Sequence, residues 1–469
     1  MLTLFHYINT VKYLFLALYL ILLSSCNSKD ESVITYFGGQ IINPKSDKVF
    51  LYKGEQVLDS AQLDSKHKFL MDIDSLALGL YTFKHGPELQ YIYLEPEDSL
   101  LIRINTWDFD ESLVFSGKGA ERNNFLINLF LENEEEDKLF LDYYQLQDSL
   151  FSLKIDSILK QKNILYNQFK EEISDNSPLF EKLVNVAISY PLYRKKEAYP
   201  YRHKKALKAK EYPHMDPRFY KFRKDININN EELMNFYPYY DYVRTYLFHL
   251  AFEQQVIDTF KTSMQVNFML NALENIQHAN TKNKFLREGM WSILLDERSS
   301  TEEKEKAQRL FFDHCSDKKS VTEIATLIKA AQKLPKGNKL PEVTLYNINN
   351  TGLDLSSIIK SKNSVIYTWP TELRQIENLA KRVNYLEKNY PLFLFIGVNS
   401  KNSEYKWKSH IKSKKLNANN QYRSDKNIDW LDVNFSRAVL VDKNGVVQNN
   451  MTHLSSPYFE KQLKKFSNY

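Results

Sequence analysis

After an apolar opening, the spacing of hydrophobic positions changes twice along the chain. From Tyr36 to Phe115 they fall in short alternating or β-rich runs, among them Gly39-Gln40-Ile41-Ile42, Val49-Phe50-Leu51-Tyr52, Gly79-Leu80-Tyr81-Thr82-Phe83, Tyr91-Ile92-Tyr93-Leu94 and Leu100-Leu101-Ile102-Arg103-Ile104. Turn formers such as Asn43-Pro44 and Glu95-Pro96-Glu97-Asp98 separate them. Alternation sends successive side chains to opposite faces of a sheet, so residues 35–117 are expected to form an antiparallel β sandwich. From about Ala120 to Gln332 the period lengthens to roughly 3.6, as in Phe125, Leu126, Leu129 and Phe130 and again in Leu150, Leu153, Ile155, Ile158 and Leu159. Residues 118–333 are therefore expected to be a helical domain.

The second change falls at Leu334-Pro335-Lys336-Gly337-Asn338-Lys339-Leu340-Pro341, whose prolines and glycine read as a linker. Beyond it, residues 338–469 alternate short apolar strands with amphipathic helices. Ser364 to Thr368 is a buried-type strand; Leu373, Ile376, Leu379, Ala380, Val383 and Leu386 mark one face of a helix; Leu392 to Val398 is a second apolar strand. Strand, helix and strand at this length make a βαβ unit with parallel strands and a right-handed crossover. A helix around Glu404 to Ile411 leads to Ala438-Val439-Leu440-Val441, and Asn444-Gly445 predicts a type I′ turn into Val446-Val447. A last helix begins after Pro457, giving the order β-α-β-α-β-β-α of a thioredoxin fold. The expected fold class is multidomain α+β, with a β sandwich, a helical middle and a thioredoxin-like α/β end.

The opening segment adds an address. An apolar run from Tyr13 to Leu23 follows Lys12 and stops at Ser24-Ser25-Cys26. About 11 residues are too few to span a bilayer but suit the apolar region of a secretory signal, here residues 1–25. Leu23-Ser24-Ser25-Cys26 resembles the bacterial lipobox, which implies acylation of Cys26 and a tether over residues 26–34. Acyl chains bring about 0.8 kcal/mol per buried methylene, enough for lasting attachment without a membrane span. The alternative is an ordinary signal peptide that happens to end at a cysteine. Asn27-Ser28-Lys29-Asp30-Glu31-Ser32 is either a plain solvated linker or a tract for surface display, so the expected location is the bacterial outer membrane with the face left open.

Composition narrows the partners. The chain has 469 residues, and Lys+Arg 63 against Asp+Glu 58 gives no overall field that would favour nucleic acid or an anionic membrane face. Arg194-Lys195-Lys196 and Arg202-His203-Lys204-Lys205, interleaved with Tyr199 and Tyr201, superficially match a nucleic-acid surface, but a solvated helical face fits an exported chain better. Glu134-Glu135-Glu136-Asp137 lacks the alternation and glycine of a calcium loop. With Cys26 acylated only Cys315 is left, so no intramolecular disulfide can form. Cys315 follows His314 in an amphipathic helical stretch, where adjacent side chains point about 100° apart, so a structural buried thiol is favoured over a catalytic Cys/His pair. No metal-ligand spacing, phosphate loop or nucleophile elbow is present, and no catalytic residue, cofactor or metal is assigned.

Leu340-Pro341-Glu342-Val343, Val365-Ile366-Tyr367-Thr368-Trp369, Phe395-Ile396-Gly397-Val398-Asn399 and Val439-Leu440-Val441-Asp442-Lys443-Asn444-Gly445 resemble, in order and spacing, landmarks of the TlpA-type thioredoxin-like proteins. Leu94-Glu95-Pro96-Glu97-Asp98-Ser99 and Phe115-Ser116-Gly117-Lys118-Gly119-Ala120 are similar to a domain of unknown function often fused before them. The resemblance implies a membrane-tethered thiol-disulfide oxidoreductase with Trp-Cys-x-x-Cys where a strand meets a helix. A helix N-terminus lowers the first thiol's pKa there, and the second thiol resolves the mixed disulfide. This chain has Trp369-Pro370-Thr371-Glu372-Leu373-Arg374 at that junction, and Ser436 followed by Arg437 where the family keeps a cis-proline. The expectation is a redox-silent, non-catalytic module. Its remnant groove of Trp369, Pro370, Thr371, Ser436 and Arg437 either binds an envelope protein or peptide or merely finishes a strand and caps a helix. The competing expectation is an oxidoreductase working intermolecularly through Cys315.

Overall fold

A computed structural model describes residues 33–173, 176–257, 263–359, 361–431, 437–456 and 458–467. Cys26 and Ser436 lie outside them.

Eight strands come first: β1 (Ile34–Ile42), β2 (Lys48–Lys53), β3 (Gln56–Gln62), β4 (Lys68–Asp74), β5 (Gly79–His85), β6 (Glu88–Leu94), β7 (Ser99–Asn105) and β8 (Val114–Ser116). They form two four-stranded sheets, β4-β1-β7-β8 and β3-β2-β5-β6. Alternate residues of both, such as Phe37, Ile41, Leu100 and Ile102 facing Leu51, Phe83 and Ile92, share one buried core. The expectation of a wholly antiparallel domain needs one correction, because β1 and β7 pair in parallel from Tyr36↔Ser99 to Ile42↔Asn105. Five strands separate β1 from β7, and this long excursion frees the pair from hairpin geometry.

The two family-like stretches of this region meet where the sheets hand over to the helices. Asp98 is fully buried, and Arg122 clamps both of its oxygens at 2.7 and 2.9 Å. Arg122 sits in the first turn of α1 (Ala120–Tyr143), so the clamp fixes that helix to the β6–β7 turn. The helices continue as α2 (Asp148–Glu172), α3 (Pro178–Leu207), α4 (Tyr237–Ile257), α5 (Met264–Asn275), α6 (Ala279–Leu295), α7 (Thr301–His314) and α8 (Lys318–Gln332). Pro191 lies inside α3 and cannot donate to the carbonyl of Ala187; Asn133 Nδ2 supplies that bond instead at 3.3 Å.

The last part holds β9 (Thr344–Tyr346), β10 (Gly352–Asp354), α9 (Leu355–Ile359), β11 (Ser364–Thr368), α10 (Leu373–Asn389), β12 (Leu394–Asn399), α11 (Glu404–Ser413), β13 (Gln421–Arg423), β14 (Ala438–Val441), β15 (Val447–Thr452) and α12 (Phe459–Ser467). They build a seven-stranded sheet in the order β10-β9-β13-β12-β11-β14-β15. Strands β11, β12 and β13 run parallel, and β14 and β15 antiparallel to their neighbours. Both faces are buried: Val365, Tyr367 and Phe395 point to one cluster, Ile366, Ile396 and Val398 to the other. The strands β9, β10 and β13 have only three residues each, too short to show a periodic pattern.

Two turn expectations change. The β14–β15 turn is not type I′, which needs positive φ at two residues; only Gly445 has it, at 75°. The Asp442 carboxylate accepts from the amides of Asn444 and Val446 at 2.8 and 2.9 Å, and the Gly445 amide bonds the Asp442 carbonyl, which selects a type I turn closed by a glycine. The stretch 334–341 is not a free linker either. Gly337 and Leu340 donate to Val447 and Gly445, and Val447 donates to Asn338, so the free edge of the sheet recruits this segment.

Candidate functional site

Where β11 runs into α10, the chain turns through Trp369, Pro370, Thr371 and Glu372. A fully buried strand delivers Trp369 into the core, where it is 3% exposed. Its indole Nε1 donates to Gln421 Oε1 at 3.1 Å, and Tyr367 Oη and the Gln421 amide pair at 3.0 and 3.2 Å. Burial pushes the Tyr367 hydroxyl well above the ordinary tyrosine range. Three polar side chains thus satisfy one another in a dry place. Gly397 makes the room: a Cβ there would lie 2.1 Å from Gln421 Oε1 and 2.7 Å from Tyr367 Oη. Pro370 is buried too, and its carbonyl accepts from Asn402 Nδ2 at 2.9 Å. Asn402 and Asn399 are tied to each other by three further hydrogen bonds.

Thr371 and Glu372 are exposed. Glu372 is the N-cap of α10, but its side chain makes no cap hydrogen bond; it faces Lys84 of β5 at 3.6 Å. Arg437, next in line across the sheet end, is 1% exposed and gives one hydrogen bond, Nη1 to the Asn450 carbonyl at 3.1 Å. Among the described residues its Nε and Nη2 are buried without partners, and burial pushes its pKa down to about 10. The structure therefore gathers Trp369, Pro370 and Arg437 at one end of the sheet but buries all three, leaving Thr371 on the surface. Among the described residues no thiol is near this turn. Cys315 is the C-cap of α7, 8% exposed, packed among Phe311, Leu286, Ile324 and Leu327, and burial pushes its thiol pKa up. His314 beside it is exposed and does not share that cluster.

The charged runs have found each other. Lys195 Nζ lies 2.6 Å from Asp137, Arg194 bonds Asp137 and Asp241, and Glu136 holds buried Lys162 at 2.9 Å. The Lys196 ammonium lies 4.5 Å from the Phe219 ring centre, and Lys204 3.7 Å from that of Tyr212. Asp137 of the acidic run thus pairs with Arg194 and Lys195 of the basic run, while Glu134, Glu135, Arg202 and Lys205 lie on the solvated surface. Sequence reasoning missed the role of Gln421, because nothing in a three-residue strand announces a buried amide. It also missed Glu197, whose side chain is fully buried against Arg223, with Tyr242 and His249 alongside. Among the described residues no cluster of three or more His, Cys, Asp or Glu could hold a metal ion, and no helix is long and apolar enough to cross a membrane.

No protein-family model matches the chain, and no curated protein matches it. In structure it is similar over part of its length to thiol-disulfide oxidoreductase domains. A domain of a "possible thiol-disulfide isomerase" from Cytophaga hutchinsonii is 20% identical and covers 29% of this chain and 95% of its own, with a TM-score of 0.26. A thiol:disulfide interchange protein from a Bacteroides species is 22% identical, with 29% and 92% covered and a TM-score of 0.25. The thioredoxin domain of a thiol-disulfide oxidoreductase from Bacteroides vulgatus is 21% identical, with 28% and 98% covered and a TM-score of 0.24.

Proposed function

We propose that this chain is an envelope lipoprotein, tethered through Cys26, whose C-terminal thioredoxin-like domain binds a partner without thiol chemistry. The observation that carries the reading is the strand-to-helix turn itself. Trp369-Pro370-Thr371-Glu372-Leu373 places no sulfur at the start of α10, and the positions that would flank a disulfide are filled by a satisfied Trp369–Gln421–Tyr367 cluster. A reactive thiol needs exposure and a depressed pKa; Cys315 has neither.

Native alkylation tests the thiol half. With iodoacetamide and mass spectrometry, Cys315 should be modified only after denaturation, and rapid labelling of the folded chain would overturn the reading. Fractionation tests the anchor: Cys26→Ser should release the protein from membranes, and its retention there would count against lipidation.

A further inference from the structure

Between the β sheets, the helices and the end of the C-terminal sheet lies a cleft of about 1640 Å³. Its floor is one face of α6, where Asn280, Lys284, Glu288, Trp291 and Leu295 recur three or four residues apart. At 1.5 Å per residue that row is roughly 22 Å long. The β2–β3 hairpin supplies one wall through Lys53 and Glu55, the first turn of α8 a second through Lys318 and Lys319, and His453 and Tyr458, beyond β15, the third. Thr452 pairs with Ala438, and Ala438 with Tyr367, so His453, Arg437 and Thr368 occupy neighbouring strand ends. The cleft therefore begins at the same end of the sheet as the Trp369–Pro370 turn.

Six basic and six acidic side chains line it. Two pairs span it, Lys284 with Glu55 and Arg287 with Glu323, and Arg298 pairs locally with Asp296. Equal numbers leave no net field to attract a polyanion or a polycation. The Lys284–Glu55 pair is exposed and worth at most about 1 kcal/mol, so a ligand carrying both signs can exchange partners with it cheaply. Asn280, Gln56 and Gln265 each offer a donor and an acceptor, as a peptide group requires. The tyrosine rings are poor platforms for a sugar, because Tyr91 is stacked on Tyr237, Tyr240 on Phe285, and Arg298 lies 3.6 Å over Tyr458. We propose that the cleft along α6 holds an extended polypeptide segment of mixed charge, about seven residues long at ~3.3 Å per residue. This rests on the binding-module reading and gives it a place and a ligand class.

The test uses the purified full chain in detergent and an array of acetylated, amidated heptapeptides of Gly, Ser, Lys and Glu. Peptides carrying both Lys and Glu should bind about tenfold more tightly than those of a single sign, a difference of about 1.4 kcal/mol. Trp291→Ala on the floor, whose ring also packs on the helical core, and Lys319→Glu on the α8 wall should each weaken them by about tenfold with the far-UV spectrum retained. Preference for single-sign peptides, indifference to both substitutions in the folded variants, or no peptide binding would overturn the proposal. So would Trp291-dependent binding of neutral oligosaccharides in place of peptides. None of these outcomes bears on thiol chemistry, which native alkylation and disulfide turnover read separately; reductase activity with peptide binding intact would sink the redox-silent reading and spare the cleft.

Discussion

The helical middle and the end of the C-terminal sheet both bury cationic side chains, and they surround them differently. In the middle, Arg223 grips both oxygens of fully buried Glu197, Lys162 meets Glu136, and Lys195 meets Asp137. At the sheet end, Arg437 has one carbonyl partner and, among the described residues, two buried nitrogens with none. In these pairs a buried charge meets its opposite, so removing Arg223 strands Glu197, and removing Glu136 or Asp137 strands Lys162 or Lys195, in a low dielectric. Arg437 strands itself, and the sheet end bears that cost in every folded molecule. The lesson for reading charge is that a basic run marks a surface only if no acidic run elsewhere answers it.

The largest expected effect follows from the paired side. Arg223→Met leaves Glu197 buried beside Tyr242 and His249 without its guanidinium, and should cost about 3–5 kcal/mol in denaturant unfolding. A loss below about 1 kcal/mol would mean that the network does not hold the middle together. Next, Gln421→Leu deprives Tyr367 and Trp369 of their shared partner and should cost the C-terminal domain about 2 kcal/mol. Arg437→Met reverses the sign. It keeps the length and apolar stem, removes the unpaired cation, and should stabilise that domain by about 1 kcal/mol; destabilisation would show that Arg437 has a counter-charge after all.

The smallest effect is a pH dependence at the same end. Burial lowers the pKa of His453 below the ordinary histidine value of 6.5, so the fold holds the neutral ring. The unfolded chain takes up the proton first as pH falls, so this stability is present above about pH 6.5 and lost as pH drops through the folded pKa. His453→Gln should flatten the C-terminal domain's melting temperature between pH 7 and 5, and an unchanged slope would remove His453 from the account.

How much of this was legible depended on length and on reach. The α10 face was readable because Ile376, Ala380, Val383 and Leu386 are spaced by the helix itself, and all four are buried. β11 and β12 were readable as continuous apolar runs, and they pair in parallel from Ser364↔Leu394. β13 was not, because Gln421-Tyr422-Arg423 has neither apolar continuity nor alternation, yet it completes the parallel set and carries the amide beneath Trp369. The β1–β7 parallel pairing was hidden because register between distant strands leaves no local trace. The missing thiols of the turn could be read directly, since an absent sulfur needs no structure to be absent. The cleft could not, because its walls are assembled from residues more than 400 positions apart, from Lys53 to Tyr458.

Disulfide-reductase turnover tests the central claim most directly. The purified full chain, supplied with dithiothreitol and insulin, should reduce no faster than the reductant alone, and Cys315→Ser should give the same trace. Turnover above that background which disappears in Cys315→Ser would contradict a redox-silent domain and restore the oxidoreductase reading.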